Sequence, residues 1–144
     1  ESPYQPNKGR KHLEKSKQQM RISTLKYIEN QKGQVCPNHN KKACIFFEYL
    51  NKTIGWQGKH AENGGEFYIK ELGYYLDYYE SNLNLAIEWY EERNHYRKGK
   101  LKEKDIIREN NILNHLKCKF IRIREKEFNN YINIIDYISG ELYV

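Results

Sequence analysis

The chain has no apolar run approaching the roughly 20 residues that cross a bilayer, and no secretory signal. The expectation is an intracellular protein, in the cytoplasm or nucleus of a host cell, neither secreted nor in a membrane. Cysteine is scarce. Cys36, Cys44 and Cys118 are too few and too scattered for a disulfide framework, which fits a reducing compartment. The first residue is not methionine, so a fragment or a trimmed form of a longer protein is expected. Internal repeats are missing, as is any low-complexity tract long enough to set a fold.

Acidic residues are sparse at one end. Residues 1–42 hold ten Lys/Arg and three Asp/Glu, a balance of +7, whereas the remainder stands at −1 and the whole chain at +6. A basic arm beside a near-neutral body points to a polyanion such as nucleic acid, although a solvated tail has the same composition. Residues 1–18 are polar and basic and read as disordered or linker-like. Over 14–30, Met20, Leu25 and Ile28 give a thin helical stripe that Gly33 would end. The basic arm is thus placed at 1–35, followed by a core over 36–124 and a C-terminal helix over 125–144.

What is present suits one α/β domain. At 144 residues, 38% hydrophobic and 31% charged, the chain is long enough to bury a modest core. Its 13 tyrosines combine apolar rings with polar tips. Phe46, Phe47, Leu50 and Ile54 recur at helical spacing before Gly55. After a glycine-punctuated loop, strands are expected over about 66–70, 73–80 and 85–91, the last two joined by the turn residues Ser81–Asn84. A basic loop, HYRKGKLKEK, leads to a helix over about 103–117 with Ile106, Ile107, Leu113 and Leu116 as its buried stripe. A further strand carries Ile121 and Ile123, and Phe128, Tyr131, Ile135 and Ile138 suit a docking helix.

The chemistry concentrates between Glu66 and His95. Glu66, Asp77 and Glu88 follow one another at intervals of eleven residues. In antiparallel register, Asp77 and Glu88 fall on one face of adjacent strands. Two ionised carboxylates buried there would be costly alone. A hard divalent cation, Mg²⁺ or Mn²⁺, removes that cost and takes oxygen ligands readily. His95, just past the third strand, is placed as a general base or leaving-group acid, with Asp105 able to orient it. Solvent-facing carboxylates and a surface histidine remain the bland reading of the same spacing.

The run HAENGGEFYI…LGYYLDYY…NLAIEWYEERNHY…KEKDIIR…LKCKFIRI resembles the very-short-patch-repair (Vsr-type) branch of the PD-(D/E)xK nuclease superfamily. It is most similar to the EDxHD group of phage and viral homing-type endonucleases. The resemblance covers about residues 43–124, and its most specific parts are the GGE–LDYY–IEWYE–H series and the start of the KDIIR helix. It implies a restriction-endonuclease-like core, a mixed β-sheet flanked by helices, that hydrolyses phosphodiester bonds of double-stranded DNA with Mg²⁺. Asp77 would be the central metal ligand, His95 the catalytic histidine and Asp105 the late aspartate. Glu48 is favoured as the family's early glutamate, Glu66 as a further carboxylate near the metal, and Glu88 takes the variable third-strand position. Tyr90 stands where the superfamily usually has lysine, and histidine chemistry replaces that lysine in this branch. The rival reading is a catalytically inactive DNA-binding module with the same fold. A homodimer is compatible with either, and a structure-specific RNase is a third reading.

Candidate nucleic-acid contacts are Lys59 and His60 (with Trp56) in the loop before the strands, Lys104 and Arg108 one helical turn apart, and the arm, including Arg10 and Lys11. A structural pairing of Lys104 and Arg108 with Glu or Asp neighbours is an equal reading of the same spacing. Cys36, His39 and Cys44, completed by His12 or Cys118, invite structural zinc. Only three ligands cluster, so buried cysteines acting as small hydrophobes are the favoured reading.

Overall fold

A computed structural model describes residues 40–143. Arg10, Lys11, His12, the stripe over 14–30, Cys36 and His39 lie outside the described residues. The chain divides into two compact units. Of the first, the described residues contribute only the turn Lys70–Gly73, while the second holds every helix and strand named below.

Helix α1 spans Lys41–Ile54. The Asn40 side chain accepts the Ala43 N–H at 3.1 Å, satisfying one of the donors that a helix start leaves open. At the other end Gly55, at φ 84°, donates to the Asn51 carbonyl. That left-handed conformation is the reason glycine stands there. Phe46, Phe47 and Leu50 are fully buried, as their spacing predicts, whereas Ile54 at the helix end is exposed.

Strand β1 (Phe67–Ile69) forms an antiparallel hairpin with β2 (Tyr74–Leu76), and Asp77 alone separates β2 from β3 (Tyr78–Glu80). β3 pairs antiparallel with β4 (Leu85–Tyr90), which pairs in parallel with β7 (Lys119–Arg124), giving the order β3-β4-β7. Parallel neighbours need a crossover. It is supplied by the short helix α2 (Glu92–His95), the hairpin β5–β6 (Tyr96–Arg97 and Lys100–Leu101) and helix α3 (Glu103–Leu116). Helix α4 (Tyr131–Leu142) closes the chain.

Alternation along the strands sorts their side chains into two layers. Tyr78, Leu85, Ile87, Trp89, Ile121 and Ile123 form one core with α1 and with Ile134 and Ile138 of α4. The opposite set, including Glu88, Tyr90 and Arg122, meets α3 through polar contacts. The molecule is therefore mixed α/β, with helices on both faces of a small mixed sheet. Among the described residues no helix is long and apolar enough to cross a membrane.

Two sequence expectations are corrected here. Ile106 and Leu113 of α3 are exposed, whereas Asp105, Glu109 and Ile112 are its buried residues. The sheet face beneath α3 is charged and polar, so the helix turns its acidic side inward, and a count of apolar residues selects the wrong face. The basic loop is also not a loop. Lys98 (φ 51°) and Gly99 (φ 78°) make the two-residue turn of β5–β6. Positive φ at both central positions matches the right-handed twist of a tight hairpin.

The loop before β1 is pinned by Gly58, whose carbonyl accepts from the side chains of Asn51 and Asn63. A Cβ built on Gly58 would lie 1.8 Å from the Tyr78 ring. Gly58→Ala is therefore expected to destabilise the fold by about 1–3 kcal/mol, the usual cost of overpacking. The urea midpoint checks this. An unchanged midpoint would mean that Tyr78 has room to move.

Candidate functional site

The β3–β4 register (Tyr78↔Ile87) sets Asp77 opposite Glu88 one step further along. At that step side chains replace the backbone ladder. The Trp89 N–H donates to Asp77 Oδ2 at 2.8 Å, and the Asp77 N–H donates to Glu88 Oε2 at 3.3 Å. Glu88 is buried, 2% exposed. Arg108, reaching down from α3, donates to Glu88 Oε1 and, at 2.5 Å, to the Tyr75 carbonyl.

Burial, then the negative charge of Glu88 and a hydrogen bond to it, hold the Asp77 carboxyl well above the usual carboxylate range. The Trp89 N–H and Arg108 oppose this without cancelling it. A carboxyl whose folded pKa is raised contributes stability at low pH and loses it as pH rises through the folded value. In EDTA the protein is thus expected to lose stability from the ordinary carboxylate range upward. Asp77→Asn should flatten that slope and raise the melting temperature at neutral pH. Melting curves across pH test it. A variant less stable than the parent at neutral pH would contradict it.

Two of the remaining residues form a dyad. His95 Nδ1 lies 3.0 Å from Asp105 Oδ1. The imidazole stacks on Tyr90, with ring centroids 4.3 Å apart and planes 16° apart. The Tyr90 hydroxyl donates to Glu109, which also receives two bonds from Arg122, at 2.8 and 2.7 Å. At the base of β5–β6, the Lys102 N–H donates to the His95 carbonyl at 2.8 Å. Asp105 as acceptor favours the tautomer with its proton on Nδ1, leaving Nε2 to exchange protons. The other oxygen, Asp105 Oδ2, is buried with no hydrogen-bond partner among the described residues. An unsatisfied buried oxygen of this kind marks a place for a missing donor or cation.

Asp77, Glu88, His95, Lys104, Asp105 and Arg108 line one cavity of about 420 Å³. Among the described residues no group of three or more His, Cys, Asp or Glu side chains is placed to hold a metal ion. Mg²⁺ does not require one. It is commonly held by one or two carboxylates plus waters and substrate phosphates. Asp77 and Glu88 are the adjacent carboxylates on this cavity, joined by the Asp77 N–H bond to Glu88 Oε2.

The other expected residues are placed elsewhere. Glu48 Oε1 is 2.6 Å from His60 Nε2. His60 is fully buried, with Nδ1 accepting the Glu62 N–H, so its imidazole cannot reach a DNA backbone. Trp56 packs against the hydrophobic core. Glu66 does not line the cavity, and its charge acts on the Cys44 thiol. Lys59 is exposed and its backbone pairs with Tyr79 at the sheet edge. Burial and the charge of Glu62 push the Cys44 thiol up to about 11, and burial also raises Cys118. Both are buried free thiols. The other ligands of the zinc reading, Cys36, His39 and His12, lie outside the described residues. The pairing of Arg108 with an acidic neighbour, one of the two readings its sequence position allowed, is made with Glu88. The position of Arg108 three residues after Asp105, on one side of a helix, was the available signal.

Comparisons with protein families, with curated proteins and with solved structures found no match for this chain. The class that the fold defines is the mixed α/β one.

Proposed function

We propose that the chain is a Mg²⁺-dependent DNA endonuclease, with the restriction-endonuclease-like core that its Vsr-type resemblance implies. The observation that carries this reading is the meeting of an acidic pair (Asp77, Glu88) braced by Arg108, a His–Asp dyad (His95, Asp105) and the exposed cation Lys104 in one cavity. Metal, proton-transfer and phosphate-binding groups are the three parts that phosphodiester hydrolysis needs. When bound, Mg²⁺ or Mn²⁺ supplies charge that polarises a phosphoryl oxygen and eases deprotonation of water.

The chain's own residues do the rest. Asp77 and Glu88 would hold the cation, and Arg108, bonded to Glu88 Oε1, sets the orientation of that carboxylate. His95 takes the proton of the attacking water or returns one to the leaving oxygen, through Nε2. Asp105 and the Tyr90 ring fix the imidazole plane. Lys104, exposed at the rim, meets the phosphate backbone. Glu48 belongs with His60 in this scheme and acts as support for the loop before β1.

Supercoiled plasmid incubated with Mg²⁺ is expected to be nicked, and EDTA or Asp77→Asn to prevent it. Intact plasmid that the protein still binds at low salt would favour the inactive binding module. AT-rich and genomic DNA serve as further substrates against a strict site preference.

A further inference from the structure

We infer that the β5–β6 hairpin is a DNA-docking ribbon that delivers the duplex to the adjoining cavity, an inference that rests on the nuclease reading. The nine residues from Tyr96 to Lys104 carry five cations, Arg97, Lys98, Lys100, Lys102 and Lys104, against one acid, Glu103. Arg97, Lys98, Lys100 and Lys104 are exposed. Their charges contrast with those of the sheet. Arg108, Arg122 and Arg124 are each paired with a glutamate, whereas among the described residues none of these four has a carboxylate partner. A cavity of about 620 Å³ runs along the hairpin, lined by these cations and by Leu101, Lys102 and Glu103.

Position makes the charge specific. β5 begins at the residue after His95, and Asp105 follows the cation-rich strand and Lys104 directly. The backbone bond from Lys102 to His95 closes the base. The ribbon therefore grows out of the dyad, and its tip stands roughly 10 Å from it, about three extended residues. The tight Lys98–Gly99 turn keeps the tip narrow. A two-stranded ribbon fits the major groove of B-form DNA, and the deep narrow major groove of an A-form RNA duplex does not admit one. Lysines and arginines on it would meet phosphates, giving affinity and register without reading sequence.

Binding is measured in EDTA, so that no cleavage intervenes, by fluorescence anisotropy of a labelled duplex DNA across a salt series. Arg97→Gln/Lys98→Gln/Lys100→Gln is compared with Lys52→Gln/Lys119→Gln/Lys126→Gln, which removes the same charge from exposed positions elsewhere. The ribbon variant is expected to bind about tenfold or more weakly, with a salt slope reduced by roughly 2–3, close to one per lost phosphate contact. The other triple variant should bind nearly as the parent does. Lys98→Glu, a single change at the tip, should weaken binding by itself and guards against a folding defect in the triple variant. Equal losses in both triple variants, or none in either, would overturn the inference, as would tighter binding of an RNA duplex of the same sequence. Ribbon-dependent binding without nicking in Mg²⁺ would remove the nuclease reading alone. Nicking with an unchanged salt slope would remove the ribbon alone.

Discussion

His95→Ala should slow Mg²⁺-dependent nicking by about 10²–10⁴-fold, the range that a positioned general acid–base group contributes. The geometry gives the reason. Asp105 engages Nδ1 at 3.0 Å, so Nε2 is the nitrogen left for proton transfer, and Tyr90 stacks against the ring and limits its rotation. The measurement is a single-turnover rate on supercoiled plasmid at saturating protein, which separates chemistry from binding. Affinity for DNA in EDTA should be unchanged. Asp105→Asn should also be slow, because an amide can donate to Nδ1 and reverse the tautomer. A rate in His95→Ala within threefold of the parent would remove histidine from the mechanism.

Arg108→Met should destabilise the protein by about 3–5 kcal/mol, the cost of leaving a buried partner charge uncompensated. Glu88 is 2% exposed and sits beside Asp77, and Arg108 is the cation that both face. The same guanidinium also satisfies the Tyr75 carbonyl, so Arg108→Lys should not rescue fully, since lysine lacks the fork. Adding Glu88→Met to Arg108→Met should recover much of the loss, because apolar replacement of a whole buried pair is often neutral. Urea unfolding of the parent, Arg108→Met, Glu88→Met and the double variant closes the cycle. A loss below about 0.5 kcal/mol in the single variant would show that the pair is solvated in solution.

The acidic pair was legible in the sequence because its geometry is local. A turn at Ser81–Asn84 between two alternating runs fixes the register, and Asn84 adopts the left-handed φ of 47° that the turn requires. Asn84 also accepts the Tyr79 hydroxyl and donates to the carbonyls of Leu116 and Lys117. The bonds to Leu116 and Lys117, backbone carbonyls distant in sequence, were not legible. The pairing of His95 with Asp105 was suggested by their order, and the hairpin between them is what brings them to 3.0 Å.

Glu66 stays out of the cavity for a reason that lies in one residue. Continuing the β1–β2 pairing would set Glu66 opposite Asp77, but the pairing stops at Phe67↔Leu76 and the chain bends at Asp77. Asp77 then bonds across to β4, and Glu66 is left near the thiol of α1. The inward face of α3 was misread for a separate reason. Hydrophobic periodicity locates a core only where the core is apolar. Between α3 and the sheet the contacts are Glu109 with Arg122 and Tyr90, and Arg108 with Glu88, so the polar face is the buried one.

The central claim is that Asp77 and Glu88 form a divalent-cation site, and calorimetric titration of Mg²⁺ into the DNA-free protein tests it most directly. A saturable heat is expected in the parent and not in Asp77→Asn. Binding should tighten as pH rises and the raised Asp77 carboxyl gives up its proton, because the ligand must be deprotonated. A melting temperature that rises with Mg²⁺ in the parent alone would accompany it. Heat of the same size and midpoint in Asp77→Asn, or no heat in the parent with Mg²⁺ or Mn²⁺, would contradict the account.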